Sequence, residues 1–555
     1  MILRVPLLAA VVAAVVASPA QQPLSLAQHA CPQHHPLTPT GRNAPLSAHI
    51  QDIYDSPDFQ AKTIQALSGA VKVPSESYDA MGPVGEDPRY AVFADLHAFF
   101  RKSFPLIHSQ LNVSTVNTYN LVIHWQGSDP SLLPILMTGH QDVVPVDPST
   151  WNQWEHPPYS GHYDGTWIWG RGTCDDKGPV VSILTAVETL LGQAFKPTRS
   201  FVFAFGIDEE SSGLQGAGKI AKYLQSTYGK NGFAAILDEG SGFTERFGED
   251  TIFVVPSTSE KGYMDVKVDV STLGGHSSVP PPHTSIGILS ALIVTIEANP
   301  HKPTLLRTGT PFATIQCTAA HAPGIPQPLR DLAHAALTDD DALEKLGKQI
   351  GLVDPAYKAM VETTQAVDLI VGGVKTNALP EGASAVVNHR IGEHSSVHGL
   401  QDHITKLLAP LASQFNLTFD AFGTSVSSSS PSSGHLTVSD AFGTALEPAP
   451  PTPLDAEPWK ILVGTAKASL SESKRESVVG KKVFVSPMLA LGNTVRTDTK
   501  SYWNLTKHIF RYTHMGDSDG YNGAHTVNEA IRADALIDNV RFLTKFILNW
   551  DEAEF

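Results

Sequence analysis

Short apolar runs recur between residues 120 and 240, and each one stops on a polar cluster. NLVIHW (120–125), LPILMTG (133–139), SFVFAFGI (200–207) and AAIL (234–237) have the length and the β-branched and aromatic content of buried strands. Between them, VVSILTAVETLL (180–191) places Val180, Ile183, Leu184, Val187 and Leu191 on one face at helical spacing. Strands alternating with helices predict an α/β domain with a mostly parallel central sheet flanked by helices. The texture changes near Gly262. GYMDVKVDV (262–270) alternates apolar and polar positions, IGILSALIVTIEAN (286–299) reads as a helix, and ASAVVNHRI (383–391) reads as a strand, so a separate α+β domain is expected. SVSSSSPSSG (425–434) and EPAPPTP (447–453) read as loops. An amphipathic helix is expected at about 529–549, carrying Ile531, Val540, Leu543 and Ile547.

A chain of 555 residues suits two or three domains, and 42% hydrophobic content is enough for real cores. The formal charge of -16 argues against nucleic-acid binding, which needs a basic face. The opening MILRVPLLAAVVAAVVASPA has one cation, a short apolar run and small residues after it. That is the grammar of a signal peptide (1–20) cleaved near Ala17 or Ala20, or of an uncleaved signal anchor. Residues 21–48, rich in Pro, Gln and His, read as a linker. Sequons begin at Asn112, Asn416 and Asn504 and fit a secretory route. Cys31, Cys174 and Cys317 show neither zinc-ribbon spacing nor a dense disulfide framework; Cys31 is either free or paired with Cys317.

The polar clusters carry the chemistry. LMTG ends on His140 and Asp142, FAFGI on Asp208, Glu209 and Glu210, and AAIL on Asp238 and Glu239; a tight GRGTCDDKG loop adds Asp175 and Asp176. Singly these are ordinary: a His after a strand is usually structural, DEE suits a helix N-terminus, and DDKG is a common turn. Together they lie at the strand ends of one parallel sheet, where ligands bind. His, Asp and Glu without Cys suggest zinc held by nitrogen and oxygen, with one carboxylate shared between two metals. Of the adjacent Glu209 and Glu210, one can ligate and the other can serve as a base. Neither G-x-S-x-G nor H-E-x-x-H is present.

GHQDVVPV, GRGTCDDKGP, DEESSGLQGAG, LDEG, GGHSSVPPPHTSIG and GAHTVNEAI together resemble the M20 metallopeptidase family, and within it the carboxypeptidase S (Gly-Xaa carboxypeptidase) branch. The resemblance implies a zinc-exopeptidase-like catalytic domain in two parts (49–260 and 425–555) and an inserted ferredoxin-like lid (261–424). It implies two zinc ions held by His140, Asp175 as the bridge, Glu210, Asp238 and His525. The choice between Asp238 and Glu239 rests on Asp238. Asp142 would orient the His140 ring, Glu209 would be the general base for a metal-activated water, and His276 would stabilise the oxyanion. Arg390 and Asn377 would hold the substrate's free carboxylate. Cys174 is taken as a small buried residue rather than an extra ligand. The implied activity is removal of the C-terminal residue from short peptides. Hydrolysis of N-acyl amino acids is the alternative within the family, and an inactive relative the alternative outside catalysis. A homodimer through the lid and a vacuolar or secreted location complete the expectation.

Overall fold

The computed structural model describes residues 31–427, 432–492 and 497–555, so the expected leader lies outside the described residues. The four apolar runs become adjacent strands of one sheet. Its order is Asn112–Val116, Asn120–Trp125, Phe201–Gly206, Ile135–His140, Ala235–Asp238, Ile509–Arg511, Ser257–Glu260 and Met488–Ala490. The centre, from Phe201–Gly206 across to Ile509–Arg511, is parallel, and Asn112–Val116 and Asn120–Trp125 join antiparallel at one edge.

Both faces of this sheet are covered, which is why its strands read as continuous apolar runs. Leu136, Val202, Ala204 and Ile236 pack with the helix Ala217–Tyr228 and with Tyr502. The alternate residues Ile135, Met137, Phe201, Phe203 and Phe205 pack with helices Lys177–Gly192 and Ala533–Asp551. Burying each such side chain contributes about 1.5–3 kcal/mol, so the layer that carries the polar strand ends is stiff. The final helix begins at Ala533 rather than near 529, because Ala530–Arg532 pairs as a strand with Trp167–Trp169.

A second sheet runs Thr364–Gly372, Gly382–Ile391, Gly262–Thr272, Gly434–Asp440, Leu417–Ala421 and Thr424–Ser427, with helices Ser285–Glu297 and Val397–Gln414 on its apolar side. It is the expected α+β unit, and it takes a strand from beyond residue 424. Part of the stretch read as the loop 425–434 is thus strand, and residues 428–431 lie outside the described residues. The edge strand Thr364–Gly372 leaves Leu369, Ile370 and Val371 exposed.

Helices Thr310–His321, Gln327–Ala335, Asp340–Ile350 and Pro355–Val361 form a third core with Phe253, Val255 and Leu489. The segment read as a linker is held to the body: Cys31 is disulfide-bonded to Cys317, the Leu37 N–H donates to Gly464 O at 2.8 Å, and helix Ala44–Asp55 starts inside it. Among the described residues no helix is long and apolar enough to cross a membrane.

Candidate metal centre

His140 is the last residue of its strand and is fully buried. Gly139 before it has no room for a side chain: a Cβ there would fall 2.3 Å from Asp176 Oδ2, the atom that accepts the His140 N–H at 3.0 Å. Asp142 works from beneath. Its Oδ1 lies 3.3 Å from His140 Nδ1, and its two oxygens accept the Glu209 and Glu210 N–H groups at 3.2 and 3.1 Å. One buried carboxylate therefore sets both the imidazole and the Glu-Glu turn. Asp208, the first acid of the same triplet, points elsewhere and accepts the Gln215 and Gly216 N–H groups, holding the loop that follows.

Asp175, joined to Asp176 by a cis peptide, faces two histidines. Its Oδ1 lies 2.9 Å from His140 Nε2 and its Oδ2 lies 3.2 Å from His525 Nε2. His525, 350 residues later in the chain, also meets Glu210 Oε1 at 2.9 Å. It sits at φ +62°, in the left-handed region, a strain of the kind that gathers at functional sites. The loop carrying Asp175 is held by Glu529, which accepts the Gly172 and Cys174 N–H groups at 3.1 and 2.9 Å and pairs with Arg171 at 2.7 Å. Glu529 belongs to the GAHTVNEAI stretch but was not singled out by sequence. The acid four positions after His525 was its only signal.

The second carboxylate against His140 is Glu239, the neighbour of the expected ligand Asp238. Glu239 Oε1 lies 3.3 Å from His140 Nε2, whereas both oxygens of Asp238 are buried without a hydrogen-bond partner. Neighbouring side chains on a strand point to opposite sides, so only one of the pair can face the histidine. Burial and the adjacent Glu239 push Asp238 up to about 8.

Ligand atoms of His140, Glu209 and Glu239 lie within 4.8 Å of one another, as do those of His140, Asp175 and Glu210. Four carboxylates thus crowd two imidazoles. Burial and then Asp175 push Glu210 and Glu239 up to about 7 each. Burial lowers His525, but its contacts with Asp175 and Glu210 outweigh this and hold it at about 10. A nitrogen-and-oxygen donor set with unbalanced negative charge fits divalent cations. The Cys174 thiol does not join the set: it is pushed well up by burial and by Glu529, and its Sγ lies 3.5 Å from Ala530 O.

Of the remaining expected residues, none lines the metal cavity, and only Arg390 among them touches one that does. His276 is exposed on the two-residue strand Gly275–His276, with Nδ1 2.7 Å from Ser278 Oγ, and Asn377 lies beside it, accepting the Ser277 N–H at 3.3 Å. Arg390 lies over the Tyr263 ring at 5.8 Å and next to Gly492, a residue of the cavity that holds Asp175, Glu209 and Glu239. Arg511 lines that cavity too. It is 2% exposed, with Nε 3.3 Å from Glu260 Oε2 and Nη2 without a partner among the described residues. The sequence reading missed it, although an arginine ending the apolar strand Ile509–Arg511 was the available signal.

The model of peptidase family M20/M25/M40 matches residues 136–549. The chain belongs to that family. Carboxypeptidase S of Saccharomyces cerevisiae is 36% identical over 94% of this M20 chain and 89% of its own length. The N-fatty-acyl-amino acid synthase/hydrolase PM20D1 of Mus musculus is 31% identical over 88% of this chain and 87% of its own. Among solved structures, the M20 family metallo-carboxypeptidase Sso-CP2 of Sulfolobus solfataricus superposes with a TM-score of 0.57 at 18% identity, over 88% of this chain and 99% of its own. Human carnosine dipeptidase 1 gives 0.59 at 16% identity, over 93% and 100%. At these identities the solved structures establish the fold alone: an α/β domain with a second α+β unit.

Proposed function

We propose that this M20 chain is a zinc carboxypeptidase that hydrolyses the last peptide bond of short peptides of Gly-Xaa type. The carrying observation is Asp175, which turns one oxygen to each of two histidines. His140 with Glu239, and His525 with Glu210, would each hold one of two zinc ions, with Asp175 between them. Zinc at these donors supplies Lewis acidity and lowers the pKa of water. Glu209, buried beside His140 and Glu239, takes the proton of the attacking water and hands it to the leaving nitrogen. Asp142 keeps the His140 ring in place through its contact with Nδ1. Arg390 and Asn377 hold the substrate's free carboxylate. His276 reaches the oxyanion when the second domain closes over the site.

Purified protein incubated with an N-blocked Gly-Leu should release free Leu, stop on chelation and recover on adding zinc. Cleavage of a long-chain acyl-leucine with the dipeptide left intact would favour the acyl-amino-acid reading instead. Silence on both would favour an inactive relative, although every expected ligand position is filled.

A secretory route, ending in a vacuole or outside the cell, is supported by three observations. The sequon residues Asn112, Asn416 and Asn504 are all exposed, the Cys31–Cys317 bond suits an oxidising compartment, and the N-terminus has leader composition. Dimerisation through the second domain would cover the exposed Leu369, Ile370, Val371 and Val374. Sedimentation and intact mass of the native protein, before and after glycan removal, should show a dimer of glycosylated chains without the leader. An unglycosylated monomer of full length would overturn both.

A further inference from the structure

We propose that an apolar chamber beside the metal cavity is the subsite for an apolar group on the acyl side of the scissile amide. This rests on the carboxypeptidase reading and narrows its substrate class. Two cavities, of about 400 and 380 Å³, share Ser241, Gly242, Ala490, Leu491 and Asp517 in their walls. The first also holds Asp175, Glu209 and Glu239. The shared wall is largely backbone at Gly242, where a Cβ would fall 1.8 Å from Met515 O.

The second cavity differs in kind. Its apolar lining is Phe247, Val255, Tyr357, Met360, Leu489 and Leu491, drawn from the third core and its helices, and its polar side chains are Ser241, Thr244, Arg246, Asp354 and Asp517. Apolar walls with few polar groups suit a hydrocarbon. Among the described residues the one cation lining it is Arg246, which is exposed and already paired with Asp354. Asp517 lies at the shared wall, where it accepts from Thr244 Oγ1. A substrate carboxylate entering the chamber would therefore meet Asp354 and Asp517, with no free cation among the described residues to receive it.

The metal cavity offers the reverse. Arg511 lines it but not the chamber, and its Nη2 has no partner among the described residues, while Arg390 lies beside Gly492. The free carboxylate belongs on that side. With the reacting amide between Glu209 and Glu239, the acyl side of the substrate runs past Gly242 and Leu491 into the chamber. Where Gly precedes the bond, the group attached to that Gly is the one that fills it.

The test measures kcat/KM for release of Leu from acetyl-, hexanoyl- and dodecanoyl-Gly-Leu by the full chain with its metal. Wild type should gain at least about tenfold from acetyl to the longer acyl groups. Ala356 lines the chamber and not the metal cavity. Ala356→Phe should abolish that gain while acetyl-Gly-Leu turnover and the melting temperature stay near wild type. Met360→Ala, which widens the same wall, should move the optimum to the longer acyl group. If Leu is released equally well from all three peptides, or if Ala356→Phe leaves the gain intact, the chamber is not an acyl-side subsite. If no peptide releases Leu, the carboxypeptidase reading fails first and takes this assignment with it.

Discussion

Replacing Glu209 with Ala should lower kcat by about a hundred- to ten-thousand-fold, the usual range for loss of a general base, and leave the metal content unchanged. The asymmetry follows from what Glu209 touches. His140, Asp175, Glu210, Glu239 and His525 are linked in a chain of contacts of 2.9–3.3 Å that does not pass through Glu209. Glu209 borders this chain from inside the cavity, within 4.8 Å of His140 and Glu239, and is 4% exposed. Burial pushes its carboxyl well up, with the nearby Glu239 adding to the effect against the opposing charge of His140. Its removal takes one carboxylate from an overcrowded set and exposes no partner, so the fold should not suffer. Metal analysis and single-turnover rates on the same preparation separate the possible roles. Loss of metal would make Glu209 a ligand, and wild-type turnover would take the base role away from it.

The strands and their two-sided burial were legible because a sheet covered on both faces leaves a continuous apolar run, as Ile135 to Gly139 and Phe201 to Gly206 do. Three of the clustered groups were legible for a related reason: His140, Glu209 and Glu210 sit where those runs break, and Asp175 showed in the tight loop before helix Lys177–Gly192. His525 was legible only through its motif, since periodicity cannot bring it across 350 residues to Asp175. The choice between Asp238 and Glu239 turned on which side of a strand end faces inward, and sequence alone does not record where the strand stops alternating. Arg511 escaped because a buried arginine at a strand end resembles any other charge until Glu260 and the cavity are in place. His276, Asn377 and Arg390 lie on the second sheet and its connections, so their distance from the metal cavity depends on how two separate cores are arranged.

Asp175→Ala should have the widest effect on metal binding of any single change. Each of its oxygens faces a different histidine, so its removal weakens both ends of the cluster at once. Affinity at both positions should fall by more than about a hundredfold, the loss that even an outer hydrogen-bond partner of a metal ligand can cause, and turnover should fall to background. His525→Ala touches one end and should cost one metal equivalent, because His140 keeps Glu239. Glu239→Ala should cost the other. Asp238→Asn should leave the metal content unchanged, since neither Asp238 oxygen has a hydrogen-bond partner among the described residues and its carboxyl is pushed toward the neutral form by burial. Metal stoichiometry of the four variants after dialysis against buffer of fixed free zinc reads all of this together. Full occupancy in Asp175→Ala would mean that the two ends bind independently. Loss of an equivalent in Asp238→Asn with none in Glu239→Ala would give the ligand role to Asp238 instead of Glu239.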